Sequence, residues 1–133
     1  MENSYNRLST DEICTLIQLI LDNNHFQFNA ENYIQVLGTA MGSSMAPAYA
    51  SLFMGKLETD FIDSYNLKPT VWLRFLDDIF MIWDHSIEEL QDFIDNLNAF
   101  HPTIKFTYTV SRDRVSFLDV NISKNENNTL ETN

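Results

Sequence analysis

Cysteine, glycine and proline are scarce in this sequence. Its 133 residues include one cysteine, Cys14, with three glycines and three prolines. A single cysteine excludes a disulfide within the chain and favours an intracellular, reducing setting, without distinguishing nucleus from cytoplasm. No segment approaches the roughly 18 uninterrupted apolar residues of a membrane span, and no secretory signal is evident at the start, so we expect no membrane contact.

Positive charge is also in short supply. Eight Lys and Arg face 19 Asp and Glu, which gives a formal net charge of −11. Since attraction to phosphate dominates nucleic-acid affinity, we expect weak or no nucleic-acid binding by the chain alone. The three histidines, His25, His85 and His101, show no ligand spacing with Cys14, so a zinc site is not expected.

Apolar residues are plentiful enough for a globular domain, at 44% hydrophobic and 13% aromatic. Capping boxes at Ser9–Glu12 and Ser86–Glu89 predict helices over about 10–22 and 87–100. The loop glycines Gly38 and Gly42 precede a third predicted helix, from about Met45 to Asp63.

Strand pairs are predicted between these helices. The first pair is 26–28 with 33–37, and the second flanks two adjacent carboxylates, Asp77 and Asp78, within residues 72–83. Alternation over 104–110 predicts a half-buried strand, which turns back into 115–122 with a β-bulge near residues 117–118. The pattern predicts one α+β domain over 1–123, an antiparallel sheet with helices on one face, and a polar, frayed tail over 124–133.

Asp77 and Asp78 allow two interpretations from the residues alone. Aspartate favours turns, so the pair is typical of a solvated hairpin tip. Paired carboxylates are also the ligands that Mg²⁺ prefers together with substrate phosphates. Similar alternatives hold elsewhere: Gly38 and Gly42 fit either a loop with positive φ or close backbone approach to a ligand. Asp119 fits a polar position at a bulge better than a metal ligand.

Two motifs in order resemble the reverse transcriptases, in the form found in Penelope-like retroelements. Residues 35–54 read Gln-Val-Leu-Gly-Thr-Ala-Met-Gly-Ser-Ser-Met-Ala-Pro-Ala-Tyr-Ala-Ser-Leu-Phe-Met and resemble the family's loop-helix motif. Residues 74–80 read Arg-Phe-Leu-Asp-Asp-Ile-Phe and resemble its Y-x-D-D motif, with Phe75 where many members have tyrosine. Residues 101–106 and 115–119 resemble later palm segments, so the resemblance covers most of the chain.

The resemblance implies a polymerase palm that carries out RNA-directed DNA synthesis. It implies Mg²⁺ as cofactor, held by Asp77 and Asp78, and an RNA template, primer DNA and deoxynucleoside triphosphates as partners. By the same resemblance, Gly38 and Gly42 approach nucleotide and template, Phe75 lines the pocket for the nucleotide sugar, and Gln35 either points to that pocket or pairs across a strand. A core aromatic is the other interpretation of Phe75.

The chain also departs from the family. No D-x-x-S-L-Y-like motif, which carries a further catalytic aspartate, occurs in the 133 residues. Fingers, thumb and the GIY-YIG endonuclease of many Penelope-like proteins have no counterpart either. We therefore expect a fragment of a retroelement reverse transcriptase, inactive by itself. The alternative is a non-catalytic acidic α+β remnant.

Overall fold

The structure, a computed structural model, describes residues 8–40, 42–127 and 129–133. The chain divides into two compact units, one ending at Met54 and the other comprising Gly55–Asn133. Helices and antiparallel strands follow one another along the chain, so the predicted α+β class is confirmed. The strands of the described residues form three separate small sheets rather than one continuous sheet.

The first unit begins with a capped helix and a hairpin. Helix α1 spans Thr10–Asp22, and both hydrogen bonds of the predicted capping box are present between Ser9 and Glu12. None of its residues is buried, so its apolar stripe lies open. Strands β1 (His25–Phe28) and β2 (Glu31–Ile34) pair antiparallel.

The turn of this first hairpin is shorter than the sequence suggested. Only Asn29 and Ala30 lie between the strands, with φ of 50° and 63°. Two positive φ values make a type I′ turn, whose twist suits a two-residue hairpin and which asparagine tolerates well. The second strand is therefore 31–34 rather than the predicted 33–37, and Val36 and Leu37 lie outside it, largely exposed.

Helix α2 spans Ala46–Ser64 and crosses the division between the units. Its bounds agree with the predicted helix. Pro47 lies in its first turn, where the missing N–H has no intrahelical partner to lose.

The second unit contains the carboxylate hairpin. Strand β3 (Val71–Phe75) pairs with β4 (Asp78–Ile82), with Trp72 opposite Met81 and Arg74 opposite Ile79. Because strand side chains alternate, these four residues share one face and Leu73 and Phe75 lie on the other.

Helix α3, Ile87–Phe100, supplies most of the core of the second unit. Its buried stripe packs against Leu57 and Phe61 of α2. The aromatic ring of Phe93 is wholly buried and contacts four other rings, with centroid distances of 5.0–6.1 Å. These rings belong to Phe61, Tyr65, Trp72 and Trp83. Such T-shaped and tilted contacts add to the free energy of apolar burial.

The segment after α3 does not form the predicted strand. Residues 104–111 pair with no strand in the described part of the chain, although Ile104 and Phe106 pack against the core. The side-chain amide of Asn98 takes the partner's place. Its Oδ1 accepts from the Phe106 backbone N–H at 2.6 Å, and its Nδ2 donates to the Phe106 carbonyl at 3.0 Å. Both backbone groups of Phe106 are thus satisfied without a neighbouring strand.

The last sheet also corrects two expectations. Strands β5 (Arg114–Phe117) and β6 (Val120–Lys124) pair in regular register, with Leu118 and Asp119 as a two-residue turn. The phase slip in the sequence is thus a hairpin tip and not a β-bulge. Strand β7, Leu130–Thr132, pairs with β6, so the expectation of a frayed tail was wrong.

Replacing Phe93 with Ala should lower the free energy of unfolding by about 3–5 kcal/mol, as for other buried aromatic side chains. Phe100, on the same helix but 45% exposed, is the matched control, and Phe100→Ala should cost clearly less. Urea unfolding measures both changes. Equal losses would show that burial of Phe93 does not set the stability.

Acid should weaken α3 through its cap. Hydrogen bonds from the Ser86 backbone N–H and hydroxyl hold the pKa of Glu89 below its ordinary value of 4.5. A depressed carboxyl pKa stabilises the fold above pH 4.5 and loses that contribution as the pH falls through the lowered pKa.

The Glu89→Gln variant should therefore lose stability at neutral pH and show a smaller further loss on acidification than the unchanged protein. Urea unfolding at neutral pH and at about pH 3, on either side of the carboxyl titration, measures the difference. Glu12 caps α1 in the same way, but α1 buries nothing, so Glu12→Gln should change unfolding less. A pH dependence unaltered by Glu89→Gln contradicts the expectation.

Candidate functional site

The two adjacent carboxylates lie at the end of the β3–β4 hairpin. Leu76 and Asp77 form the turn, and Asp78 is the first residue of β4, opposite Phe75. Both carboxylates are exposed. The predicted exposed tip is confirmed, shifted by one residue because Asp78 belongs to the strand.

The turn places an unusual demand on Leu76. Its φ is 54°, whereas Asp77 is not among the residues with positive φ. A positive φ at the first central position alone is the pattern of a type II′ turn, which favours glycine there. A leucine in this conformation costs about 1–3 kcal/mol, which the surrounding structure has to offset.

Phe75 lies beside Asp78 on the open face of the hairpin. The two residues are directly opposite, and Phe75 is 55% exposed. It is therefore not a core aromatic. Leu73, 57% exposed, continues the same face, while Phe80 on that face contacts the ring of Phe117 at 5.8 Å.

The carboxylates of Asp77 and Asp78 are unengaged within the described ranges. Neither has an ion pair or hydrogen-bond partner there. Adjacent carboxylates without a competing cation fit a hard divalent cation that is completed by water or phosphate. In the same ranges, no group of three or more His, Cys, Asp or Glu side chains is placed to hold a metal by itself.

Arg74 connects the backbone of the hairpin tip to helix α2, a role that the sequence motif did not reveal. Its Nη1 donates to the carbonyl of Leu76 at 3.0 Å. Its Nε lies 2.7 Å from Oε1 of Glu58 on α2, and both side chains are about nine-tenths buried. These two atoms lie at ion-pair distance without the alignment of a hydrogen bond, so their attraction is electrostatic. The only sequence signal was one basic residue in an apolar strand.

The glycine loop of the first unit is braced by Gln35. Oε1 of Gln35 accepts from Asn24 at 2.9 Å, and its Nε2 donates to the Leu37 carbonyl at 2.8 Å. Gly38 and Gly42 have φ of 77° and 99°, conformations that other residues rarely adopt. A Cβ at Gly38 would come within 3.3 Å of Nε2 of Gln35, whereas one at Gly42 would meet open space.

A second hairpin tip repeats the local sequence of the first. Phe117, Leu118 and Asp119 match Phe75, Leu76 and Asp77, and Leu118 has a φ of 53°. Asp119 is exposed, like Asp77. The residue before the phenylalanine differs: Ser116, which donates to Asn121 at 2.8 Å, stands where the first tip has Arg74.

Comparison of the chain with known protein families, with curated proteins and with solved structures found no match. None of the helices in the described part of the chain combines the length and apolar character needed to cross a membrane.

Alanine at Gly42 should destabilise the protein by about 1 kcal/mol or more, because φ of 99° is unfavourable for any side chain despite the free space. Gly55 is a control in the helical conformation, where a Cβ would make an ordinary 3.9 Å contact with Nη2 of Arg74. Gly55→Ala should therefore stabilise α2, by up to about 1 kcal/mol. Thermal or urea unfolding measures the change in stability of both variants. A stabilising Gly42→Ala would contradict the positive φ at this position.

Proposed function

We propose that this chain is part of the palm of an RNA-directed DNA polymerase, with Asp77 and Asp78 as its metal-binding pair. One observation carries the proposal: two adjacent carboxylates, exposed at the turn of a hairpin and without a partner among the described residues, within a sequence that resembles the reverse transcriptase motif. The glycine loop and helix upstream, in the order that the family has, are the second support.

In this proposal Asp77 and Asp78 would hold Mg²⁺, and Asp77 is the better candidate for direct contact because it belongs to the turn itself. When bound, the metal would neutralise charge that develops on the reacting phosphate oxygens. The chain's own residues orient the carboxylates. Phe75, exposed beside Asp78, offers an apolar surface against a nucleotide sugar.

Gly38 and Gly42 would let the backbone come close to nucleotide and template. Their positive φ values are consistent with this and also with a purely structural loop. Gln35 would act by bracing the loop, since both ends of its amide already have partners.

The proposal assigns to these 133 residues only part of a two-metal site. A pair of cations needs carboxylates from more than one element, and the described residues offer Asp77 and Asp78 alone at this tip. The net charge of −11 also opposes approach of a polyanionic template. A basic surface and a further aspartate would have to come from another segment or partner.

Mn²⁺ binding tests the metal assignment. Asp77→Asn keeps the shape of the side chain and removes its charge, so it should weaken Mn²⁺ binding by about tenfold or more, at least the loss seen for outer-shell changes at metal sites. Asp119→Asn, at the tip with the same Phe-Leu-Asp turn, should leave Mn²⁺ affinity unchanged. Electron paramagnetic resonance titration of free Mn²⁺ measures both.

Equal affinities in the unchanged protein, Asp77→Asn and Asp119→Asn would contradict the metal assignment. That outcome would favour the alternative function, a non-catalytic acidic domain, which the net charge of −11 also supports.

Primer extension tests the polymerase assignment. The 133-residue chain should give no measurable extension of a primed RNA template with Mg²⁺, because Asp77 and Asp78 supply only part of a two-metal site and the net charge of −11 repels the template. A longer chain that adds a strand with the further aspartate and a basic nucleotide-binding region should extend the primer, and Asp77→Asn should abolish this. Full activity of that long variant would exclude Asp77 as a metal ligand.

A further inference from the structure

The guanidinium of Arg74 joins helix α2 to the carboxylate tip. On one side its Nε lies 2.7 Å from Glu58, and on the other its Nη1 donates to the carbonyl of Leu76 at 3.0 Å. The carbonyl of Leu76 belongs to the peptide bond that enters Asp77. Arg74 therefore contacts the backbone at the point that sets the direction of Asp77.

The ion pair between Arg74 and Glu58 is largely buried, so it carries an energetic cost. The side chains of Arg74 and Glu58 are 12% and 10% exposed. Removing charges from water is costly, and a buried ion pair gains little stability over an apolar pair of similar size. Stability by itself is therefore a weak reason for this pair, which points to a role in fixing geometry.

Helix α2 leaves room for the guanidinium. Gly55 lies one turn before Glu58, and a Cβ there would already come within 3.9 Å of Nη2 of Arg74. Larger side chains at this position would enter the space that the guanidinium occupies. Gly55 thus leaves space on α2 for the guanidinium, and Glu58 supplies the opposite charge.

The second hairpin tip shows that the turn does not need such a support. Leu118 adopts nearly the same φ as Leu76, 53° against 54°, without an arginine at the corresponding position. Ser116 at that position contacts Asn121 of the neighbouring strand. What distinguishes the first tip is that its turn carbonyl accepts from an arginine that is itself paired with a glutamate of helix α2.

We propose that Arg74 is a positioning residue, anchored by Glu58, that fixes the Leu76–Asp77 peptide and so aims the Asp77 carboxylate for cation binding. The cation part rests on the proposed function, whereas the fixing of the peptide does not. Since the fork of the guanidinium serves Glu58 and Leu76 at once, a single ammonium cannot replace it.

Two variants test the proposal. Glu58→Met combined with Arg74→Met replaces the ion pair by apolar side chains of similar length, which avoids an unpaired buried charge. Arg74→Lys keeps a cation for Glu58 but loses the simultaneous bond to Leu76. Urea unfolding establishes that each variant is folded. Backbone ¹⁵N relaxation then reports the order of Asp77, with Asp119 as the reference within the same molecule.

In both variants the order parameter of Asp77 should fall from about 0.85, typical of rigid backbone, to the level of Asp119, whose tip lacks such a contact and whose own order parameter should stay unchanged. Mn²⁺ affinity should fall by about tenfold, within the range for residues that orient metal ligands. If the pair of Arg74 and Glu58 were merely structural, the variants would change the free energy of unfolding and leave the order parameters of Asp77 and Asp119 as they were. An unchanged order parameter of Asp77 in a folded variant overturns the proposal.

One measurement needs no variant and covers the case in which neither folds. In the unchanged protein, the Nη1–H signals of Arg74 should be distinct and slow to exchange, because the group is buried and bonded. A freely rotating guanidinium, averaged to one signal, overturns the proposal.

The two proposals fail separately. If Asp77 loses order in the variants but the unchanged protein binds no Mn²⁺ through Asp77, the positioning role stands and the metal-binding function falls.

Discussion

The second unit depends on the burial of one ring. Phe93 projects from α3 into a cluster formed by α2 and by the end of the β3–β4 hairpin that lies opposite its turn, and no part of it reaches solvent. Neither the helix nor the hairpin is long enough to be stable alone, since short helices and isolated hairpins are marginal in water. Packing of the hairpin against Phe93 of α3 therefore stabilises both elements, and it holds in place the hairpin that carries the two carboxylates.

The hairpin divides its two faces between stability and exposure. Trp72 and Met81 turn one face to the core, while Leu73, Phe75 and Asp78 belong to the other. Arg74 continues the inward face beyond the apolar core. At that point an ion pair with Glu58 replaces apolar packing, and the strand runs on to a tip that is polar and open. A rigid base with an exposed end is the arrangement that a binding site needs.

Charge limits what such a tip can do by itself. Two carboxylates attract divalent cations, and the net charge of −11 strengthens that attraction while it repels nucleic acid. A role in nucleotidyl transfer thus requires positive charge from elsewhere, whereas cation binding does not. The chain also contains two similar hairpin tips, one at Asp77 whose turn carbonyl accepts from Arg74, and one at Asp119 where Ser116 stands in place of the arginine.

Local signals in the sequence determined the helices. Serine caps with glutamate three residues later, followed by apolar residues at helical spacing, located α1 and α3, and Pro47 marked the start of α2. The exposed carboxylate tip was also predictable, because apolar strands flank two residues that resist burial. These features depend on neighbours in sequence, so periodicity and capping contain the information.

Features that periodicity and capping do not encode decided the rest. Residues 104–111 alternate like a strand, yet Asn98 of α3 satisfies the backbone of Phe106 and the segment stays unpaired. The turn at Leu118 and Asp119 has no glycine to announce it. The pairing of Arg74 with Glu58, 16 positions apart, places an arginine in a strand and a glutamate in a helix against each other. Sequence pattern alone carries no signal for such a pair, because only the packing of α2 against the hairpin brings the two charges together.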